Sequence, residues 1–214
     1  PLRYWDQYVR YQHLARRARA DVHHVLDHAY AHLAGAVPEG RAIVTFHDAI
    51  PMRSGRPAAR SRLMLTRGMR RAVDRGARVI AVSRASKLDA EQFFGIPAAS
   101  ITVVPNGVDA RFAPAVDRQA LRARLRIGRP LVLIVGHTQP YMNVEGMLRA
   151  AAAAARETDL EIVKVGAPLT IDQGRLAEAV GLAGRLRERG LVGDDELRDW
   201  YAAADALVYL PVMS

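Results

Sequence analysis

Two polar side chains that could do acid–base chemistry follow an apolar run of the sequence. The predicted strand at residues 41–48 ends in His47 and Asp48, within the segment VTFHDAIP. In an open parallel sheet, ligands bind at the carboxyl ends of the strands. A histidine there can contact a hydroxyl or phosphate group, or transfer a proton. His47 is therefore the candidate catalytic residue, and the alternative is a packing histidine beside an aspartate that caps a helix.

A second candidate site is the turn between an apolar run and a helix within residues 131–155. Gly136 permits a tight turn and a close approach of a ligand to the backbone. Asn143 is a favourable N-cap for the helix that follows, and the start of such a helix favours an anion. The intervening residues HTQPYMN contain no lysine or arginine. A glycine and a cap are also what any strand-to-helix connection requires, so this pattern alone is weak.

Other chemistries find little support. His28 and His32 have the i, i+4 spacing that could hold a metal, but no third ligand is aligned with them, so no metal site is predicted. The absence of cysteine excludes disulfides, thiolate metal sites and a cysteine nucleophile. The sequence has no P-loop, no G-x-G-x-x-G and no G-x-S-x-G. These absences disfavour ATP hydrolysis, dinucleotide binding and serine hydrolysis.

The chain has a formal net charge of +9, and its basic residues are dense between Arg53 and Arg78, where the only acid is Asp74. This stretch attracts anions such as phospholipid head groups. A solvated helix face is the alternative. A nucleic-acid-binding module is a further reading, but no recognised motif accompanies the arginines, so no nucleic-acid partner is predicted. The arginines of the stretch are Arg53, Arg56, Arg60, Arg62, Arg67, Arg70, Arg71, Arg75 and Arg78.

Segments for membrane insertion or export are not evident. No apolar run reaches the length that spans a bilayer, and the first residues, PLRYWDQYVRYQ, lack the apolar region of a signal peptide. A cytoplasmic location is therefore expected, with peripheral contact at the inner membrane face if the arginines bind lipid.

These candidate residues must be positioned by alternating strands and helices. The apolar runs are continuous rather than alternating, which predicts parallel sheets covered on both faces. We predict two doubly wound α/β units, at residues 1–110 and 111–214, joined by a segment at residues 108–120 without strand pattern. Strands are predicted at 21–27, 41–48, 77–83, 101–107, 130–135, 159–165, 185–191 and 204–210. Helices are predicted at 7–20, 28–36, 57–75, 84–94, 117–126, 143–156, 171–182 and 194–203.

Four segments occur in an order that resembles the retaining glycosyltransferases of family 4, which have the GT-B fold. They are VTFHDAIP, ARVIAVSRASKLDAEQFFGIPAASITVVPNGVDARFAP, RPLVLIVGHTQPYMNVEGMLRAAA and GLVGDDELRDWYAAADALVYLP. The similarity covers residues 41–211. It implies two Rossmann-like domains, both incomplete in this chain, of which the first is on the acceptor side and the second binds a nucleotide-sugar donor.

The resemblance also implies roles for individual residues. His47 matches the family's histidine close to the transferred sugar. The residues that match the donor-binding positions are Gly136, His137, Met142, Asn143, Gly190 and Leu191. The residues that fall at the crossing between the domains or in the cleft are Asp48, Ser83, Asn106 and Gly107. Transfer would retain the anomeric configuration and need no metal or other cofactor, and the acceptor would be an unidentified glycan or lipid-linked molecule.

The chain departs from the family pattern at the donor loop. The family usually carries a basic residue just after the glycine and a lysine before the asparagine, where this sequence has His137 and Met142. Methionine cannot donate to phosphate, and histidine carries a charge only when it is protonated. A non-catalytic nucleotide-binding or scaffold protein on the same fold is therefore the alternative function. A sugar-nucleotide epimerase of the same architecture is a further one, which VVPNGVD disfavours.

Overall fold

The computed structural model of the chain describes residues 5–53 and 59–212. It divides into two units, Pro1–Gly107 and Val108–Ser214, and each unit contains a four-stranded sheet. Every strand pairing in both sheets is parallel. The predicted architecture of two parallel-sheet α/β units is confirmed. The division between Gly107 and Val108 lies close to the boundary predicted at residue 110.

The sheet of the first unit has the strand order β1-β2-β3-β4. Its strands are β1 (His23–Val25), β2 (Ala42–Phe46), β3 (Arg78–Ala81) and β4 (Ile101–Val103). Its α-helices are α1 (Tyr11–Arg17), α2 (Ile50–Arg53), α3 (Ala59–Asp74) and α4 (Arg84–Phe94). A π-helical turn (Asp6–Arg10) precedes α1, and 3₁₀ helices occupy His28–Ala36 and Ala98–Ser100.

Local signals explain where α4 begins and ends. Ser83 caps α4, because its Oγ accepts a hydrogen bond from the N–H of Ser86 at 3.0 Å. The helix stops at Gly95, whose φ of 64° is in the left-handed region that glycine adopts at little cost. The helix packs Phe94 edge-to-face on Phe46 of β2, with ring centroids 5.1 Å apart, in the core of the unit.

The sheet of the second unit has the order β7-β6-β5-β8. Its strands are β5 (Leu131–Gly136), β6 (Glu161–Gly166), β7 (Leu186–Gly190) and β8 (Ala206–Leu207). Its α-helices are α5 (Arg118–Arg124), α6 (Val144–Glu157), α7 (Ile171–Ala179) and α8 (Asp194–Ala203), and a 3₁₀ turn at Pro140–Met142 precedes α6.

Apolar side chains cover both faces of the second sheet, as the continuous apolar runs predict. On one face, Ile134 and Ile162 pack in a buried cluster with Met147 of α6. On the other face, Leu133 and Val163 share a cluster with Trp200 of α8. Successive residues of a strand point to opposite faces, so β5 and β6 each supply both clusters.

Several predicted elements are shorter or different in the structure. The segment 28–36, predicted as a short helix, is a 3₁₀ helix capped by Asp27. The strand predicted at 101–107 ends at Val103, since Pro105 has no N–H with which to extend the ladder. The strand predicted at 204–210 is the two-residue β8. Neither Asn106 nor Gly107 has a positive φ, and residues 104–109 form no turn, so the bend expected from Asn-Gly is not a tight turn.

The segment predicted as a linker belongs to the second unit. Phe112 lies edge-to-face against Tyr201 of α8, with ring centroids 6.1 Å apart. Arg111 forms an ion pair of 3.2 Å with Asp194 in the first turn of the same helix. These contacts attach Arg111 and Phe112 to α8.

Candidate functional site

His47 lies immediately after β2, at the carboxyl end of the first sheet, and its side chain is exposed. Its Nε2 lies 2.8 Å from the carbonyl oxygen of Leu26, which follows β1. A carbonyl only accepts, so Nε2 carries the hydrogen and Nδ1 is left as the acceptor of the neutral ring. The imidazole ring of His47 is therefore held by the residue that follows β1, and its Nδ1 is available to accept a hydrogen bond from a ligand.

The backbone of His47 is anchored to α4. Its carbonyl oxygen accepts a hydrogen bond of 2.8 Å from the Oγ of Ser86. The hydroxyl of Ser83 lies 2.9 Å from the Ser86 hydroxyl, so Ser83 supports the same link while it caps the helix. Ser86 is 6% exposed, and sequence reasoning missed it. The sequence feature that could have identified Ser86 is its position three residues after the predicted cap Ser83. At the start of a helix, a serine hydroxyl there can donate to the end of a neighbouring strand.

Asp48 has the capping role that the sequence offers as the alternative to a catalytic site. Its Oδ1 accepts a hydrogen bond of 2.9 Å from the N–H of Ile50, at the start of α2. That helix ends at Arg53, whose guanidinium binds the carboxylate of Asp89 with two hydrogen bonds of 3.2 and 2.5 Å. The chain that leaves the His47 position is thereby tied back to α4.

His28 lies behind this strand end and is buried. Its ring contacts Phe46 and Phe94, with centroids 4.6 and 5.6 Å away. Burial lowers the pKa of His28, although the charges of Asp27 and Asp48 act in the opposite direction. His32 stacks on Tyr8 and bonds to the carbonyl of Gln7 at 2.9 Å. Among the residues that the structure describes, no group of three or more histidines or carboxylates is placed to hold a metal ion.

The arginine-rich stretch forms an exposed face on α3. Some of its members are structural: Arg53 pairs with Asp89, and Arg70 Nε donates to the carbonyl of Phe94 at 2.8 Å. The side chains of four exposed members on α3 have no hydrogen-bond or ion-pair partner within residues 5–53 and 59–212, and Arg56 lies outside those ranges. These four are Arg60, Arg62, Arg67 and Arg71. Across the described part of the chain, no helix combines the length and apolar character needed to cross a membrane.

The candidate donor loop begins at Gly136, the last residue of β5. Gly136 has a φ of 131°, and a Cβ there would lie 2.9 Å from Cε of Met142. Its register partner Gly166, which ends β6, has a φ of 113°. A Cβ on Gly166 would lie 2.4 Å from the carbonyl oxygen of Gly136. Both positions therefore require glycine, and the two turns after β5 and β6 touch through their backbones.

The structure places Met142 in the core rather than on the loop surface. Its side chain is 8% exposed and packs in the cluster beneath α6. Its methyl group lies over Gly136, and its N–H already donates to the carbonyl of Gln139 at 2.9 Å. The position where the family usually has a lysine therefore presents no side chain to a ligand. His137 is exposed and directly follows Gly136.

Asn143 is the N-cap of α6, as the sequence predicts, but it has a second role. It has φ 53° and ψ 45°, and its Oδ1 accepts from the N–H of Gly146 at 3.2 Å. Its Nδ2 donates to the carbonyl of Leu210 at 3.0 Å, which ties the loop to the chain after β8. The N–H groups of Val144 and Glu145 have no acceptor among the described residues. They leave the start of α6 open to an anion, which the carboxylate of Glu145 partly opposes.

Gly190 and Leu191 lie at the same edge of the second sheet. Gly190 ends β7 with a φ of 68°, and Leu191 is 84% exposed. Because the strands are parallel, the carboxyl ends of β5, β6 and β7 are adjacent, and the loops after Gly136, Gly166 and Gly190 share one edge. His47, Asp48, Ser83 and the exposed Asn106 and Gly107 occupy the equivalent edge of the first sheet. The structure thus gathers the predicted residues into two sets, one in each unit.

Solved structures share this fold. The crystal structure of Anabaena Alr3699/HepE in complex with UDP matches with a TM-score of 0.71 and 20% identity, over 94% of this chain and 56% of that chain. WaaG, a glycosyltransferase involved in lipopolysaccharide biosynthesis, matches with a TM-score of 0.68 and 15% identity, over 94% of this chain and 56% of its own. At these identities the matches show the fold, and the predicted GT-B class is confirmed.

Sequence comparisons point the same way. A D-inositol 3-phosphate glycosyltransferase of Kineococcus radiotolerans is 34% identical over an alignment of 154 positions that covers 65% of this chain and 35% of that protein. The corresponding protein of Streptomyces avermitilis is 36% identical over an alignment of 122 positions that covers 50% of this chain and 26% of its own length. The chain thus spans no more than about a third of these curated relatives. Residues 1–112, more than half of the 214 residues, match the profile of Glycosyltransferase Family 4. The chain therefore belongs to Glycosyltransferase Family 4.

Proposed function

We propose that the protein is a retaining glycosyltransferase that transfers a sugar from a nucleotide diphosphate donor. The observation that carries the proposal is the placement of the candidate residues at the carboxyl edges of two parallel sheets in a member of this family. His47 stands at the edge of the first sheet, and the loop Gly136–Asn143 stands at the edge of the second. Those edges are where open parallel sheets bind their ligands.

In this proposal the donor diphosphate binds at the loop after β5, against the start of α6. The open N–H groups of Val144 and Glu145 and the dipole of a 14-residue helix favour negative charge there. Such fixed dipoles stabilise the charge that develops on a leaving diphosphate. The solved Anabaena structure with UDP supports a uridine nucleotide as the first donor to test. Gly190 and Leu191 are proposed to lie beside the nucleotide base.

His47 is proposed to contact the transferred sugar or the acceptor hydroxyl through Nδ1, since Nε2 is held by Leu26. The names of the relatives make D-inositol 3-phosphate the first acceptor to test. A glycan or lipid-linked acceptor is the wider class. The reaction is proposed to need no metal ion, so that chelation by EDTA leaves turnover unchanged.

The test separates donor binding from transfer. UDP and GDP are titrated against the protein by calorimetry, and donor hydrolysis and transfer are followed with UDP-sugars, with the anomeric product read by NMR. His47→Gln keeps a donor for the Leu26 carbonyl but removes the second ring nitrogen. We expect it to lower turnover by about 100-fold or more while UDP affinity stays unchanged. His13→Gln, on the exposed side of α1, is the matched control. Failure of every nucleoside diphosphate to bind at millimolar concentration would overturn the proposal.

The exposed arginines of α3 support a membrane surface as an additional partner. A helix that presents several unpaired guanidinium groups gains about 1 kcal/mol per charge near an anionic leaflet. We propose that the protein works at such a surface, where a lipid-linked acceptor would be available.

Nucleotide binding without transfer is the second candidate function. It is favoured by the absence of lysine and arginine from residues 137–143, and by the burial of the Met142 side chain. In that case the protein would bind UDP but would neither hydrolyse nor transfer any UDP-sugar, and His47→Gln would change nothing that can be measured. Any turnover that depends on His47 would exclude this candidate.

A further inference from the structure

A lysine is buried directly beneath the candidate donor loop after β5 and the turn after β6. Lys164 lies near the carboxyl end of β6 and is 2% exposed. It pairs in register with Ile134 of β5 and Glu188 of β7. Register partners share a face of the sheet, so its stem extends the apolar layer of Ile134 and Ile162 beneath α6.

The amino group reaches the backbone of both turns. Nζ donates to the carbonyl of Gly136 at 3.3 Å and also to the carbonyl of Ala167. Gly136 is the last residue of β5 and Ala167 follows the last residue of β6, at the point where Gly136 and Gly166 are already in contact. One side chain therefore joins the loop that leads to Asn143 with the loop that leads to α7.

This lysine is costly where it stands. Burial lowers the pKa of Lys164, and the charge of Glu188 acts in the opposite direction. No carboxylate within the described residues lies at ion-pair distance from Nζ, and Glu188 already accepts a hydrogen bond of 2.7 Å from the N–H of Leu169. An isoleucine or valine would fill the same layer without the desolvation cost of an amino group. The charge of Glu188 therefore compensates the ammonium group of Lys164 only from beyond ion-pair distance.

We infer that Lys164 is a positioning residue for the donor diphosphate: it holds the carbonyls of Gly136 and Ala167 together and places beneath the loop the positive charge that residues 137–143 lack. A diphosphate bound above the loop would in turn favour the ammonium form of the lysine. This inference rests on the proposed function, because it concerns the binding site for the same donor. Lys164 on the adjacent strand β6 would supply the positive charge that the side chains of the loop lack.

The test compares UDP with uridine, which has the same base and ribose but no phosphate. Lys164→Met removes the charge at similar length, and Lys164→Gln removes it while keeping an N–H donor. We expect each to weaken UDP binding about tenfold or more and to leave uridine binding within about twofold. Lys164→Arg, which keeps the charge, should recover part of the loss. GDP and guanosine form the equivalent pair if the donor base is a purine.

The chain offers a matched control in its only other lysine. Lys87 of α4 also donates to two backbone carbonyls, those of Ala98 at 3.1 Å and Ile101 at 3.2 Å, but it belongs to the first unit. Lys87→Met makes the same chemical change and should leave the affinities for UDP and uridine unaltered.

Each other outcome decides against the inference. Equal losses of UDP and uridine affinity, or no loss of UDP affinity, would show that Lys164 does not act on the diphosphate. If both neutral variants fail to melt cooperatively while Lys87→Met folds, the role of Lys164 is structural and the inference is wrong. If the wild-type protein binds neither UDP nor GDP, the proposed function fails first, before any variant is made.

Discussion

A Cβ on Gly166 would lie 2.4 Å from the carbonyl oxygen of Gly136, the residue paired with it in register across β5 and β6. The two strands end in glycines whose φ values, 131° and 113°, disfavour other residues. The close approach lets a single lysine, Lys164, bind the carbonyls on both sides of the contact. The candidate donor loop thus begins at a close backbone contact that leaves no space for a side chain at Gly166.

The first prediction follows from that backbone contact. Gly166→Ala must place a methyl group against the Gly136 carbonyl at an unfavourable φ, and we expect it to destabilise the protein by about 3 kcal/mol or more. Gly174→Ala is the matched control, because Gly174 lies inside α7 with nothing within 4 Å of its Cβ position. The control should be neutral or stabilising by about 0.5–1 kcal/mol. Urea denaturation measures both, and equal stability of the two variants would contradict the prediction.

The second prediction concerns Asn143, which combines a cap, a left-handed backbone and a bond to the carbonyl of Leu210. Asn143→Ala should cost about 2 kcal/mol, because it loses the cap and is strained at a φ of 53°. Asn143→Gly tolerates the backbone and should cost less. Asn143→Asp keeps the cap, but its added charge should weaken UDP binding. Thermal melts and UDP titrations check this order, and an alanine variant as stable as the glycine variant would refute it.

The third prediction is a pH dependence at Asp205. Burial alone would raise the pKa of this carboxyl, but hydrogen bonds from Arg118, the N–H of Leu131 and Arg122 outweigh it and lower the pKa from 3.8 to about 2. A depressed folded pKa contributes stability above the unfolded value, which is lost as the pH falls towards the folded value. The carboxylate is partly exposed, so we expect a contribution of about 1 kcal/mol.

Asp205→Asn provides the measurement. The free energy of unfolding of the wild type should exceed that of the variant at neutral pH, and the difference should shrink as the pH falls from 3.8 to about 2. Asp172→Asn is the control, since that exposed carboxylate on α7 has only a 3.6 Å ion pair with Arg175. A difference that stays constant across this pH range would contradict the assignment.

The fourth prediction tests the arginine face of α3. Reversing Arg67 and Arg71 to glutamate should abolish binding to vesicles that contain anionic lipid, and the wild-type binding should weaken with added salt. Neither side chain has a hydrogen-bond or ion-pair partner among the described residues, so folding should be unaffected. Arg149 and Arg156, exposed on α6 in the second unit, give the same charge change as a control. Vesicle sedimentation measures the binding, and unchanged binding of the Arg67/Arg71 variant would exclude this face.

Elements with strong local signals could be predicted from the sequence. The Ser83 and Asn143 caps are where the pattern of cap and apolar run places them, because capping depends on residues a few positions apart. The charged strand LRERG was also predicted, and it forms β7 at the edge of its sheet. There Arg187 and Arg189 both lie over the ring of Trp200, at 5.8 and 5.6 Å. An edge position explains how such a polar sequence forms a strand.

Features that depend on contacts distant in sequence were missed. The apolar run ADALVYL predicts a full strand, but only Ala206 and Leu207 pair with β5. Met142 was expected in the donor loop because of its position, whereas its side chain fills the space above Gly136. The bond from Ser86 to His47 spans 39 residues. Lys164 interrupts an apolar strand, which was a visible signal, but its contacts with two turns required coordinates.

The contrast between the two lysines has a practical consequence. Apart from the amino terminus, a reagent that acylates amines can modify only Lys87 and Lys164. Lys164 is 2% exposed, so it reacts only when the ends of β5 and β6 separate. Its labelling rate, followed by mass spectrometry, would report how often the second unit opens locally at the ends of β5 and β6. Slower labelling in the presence of a nucleotide would show that the ligand stabilises the closed form of these strand ends.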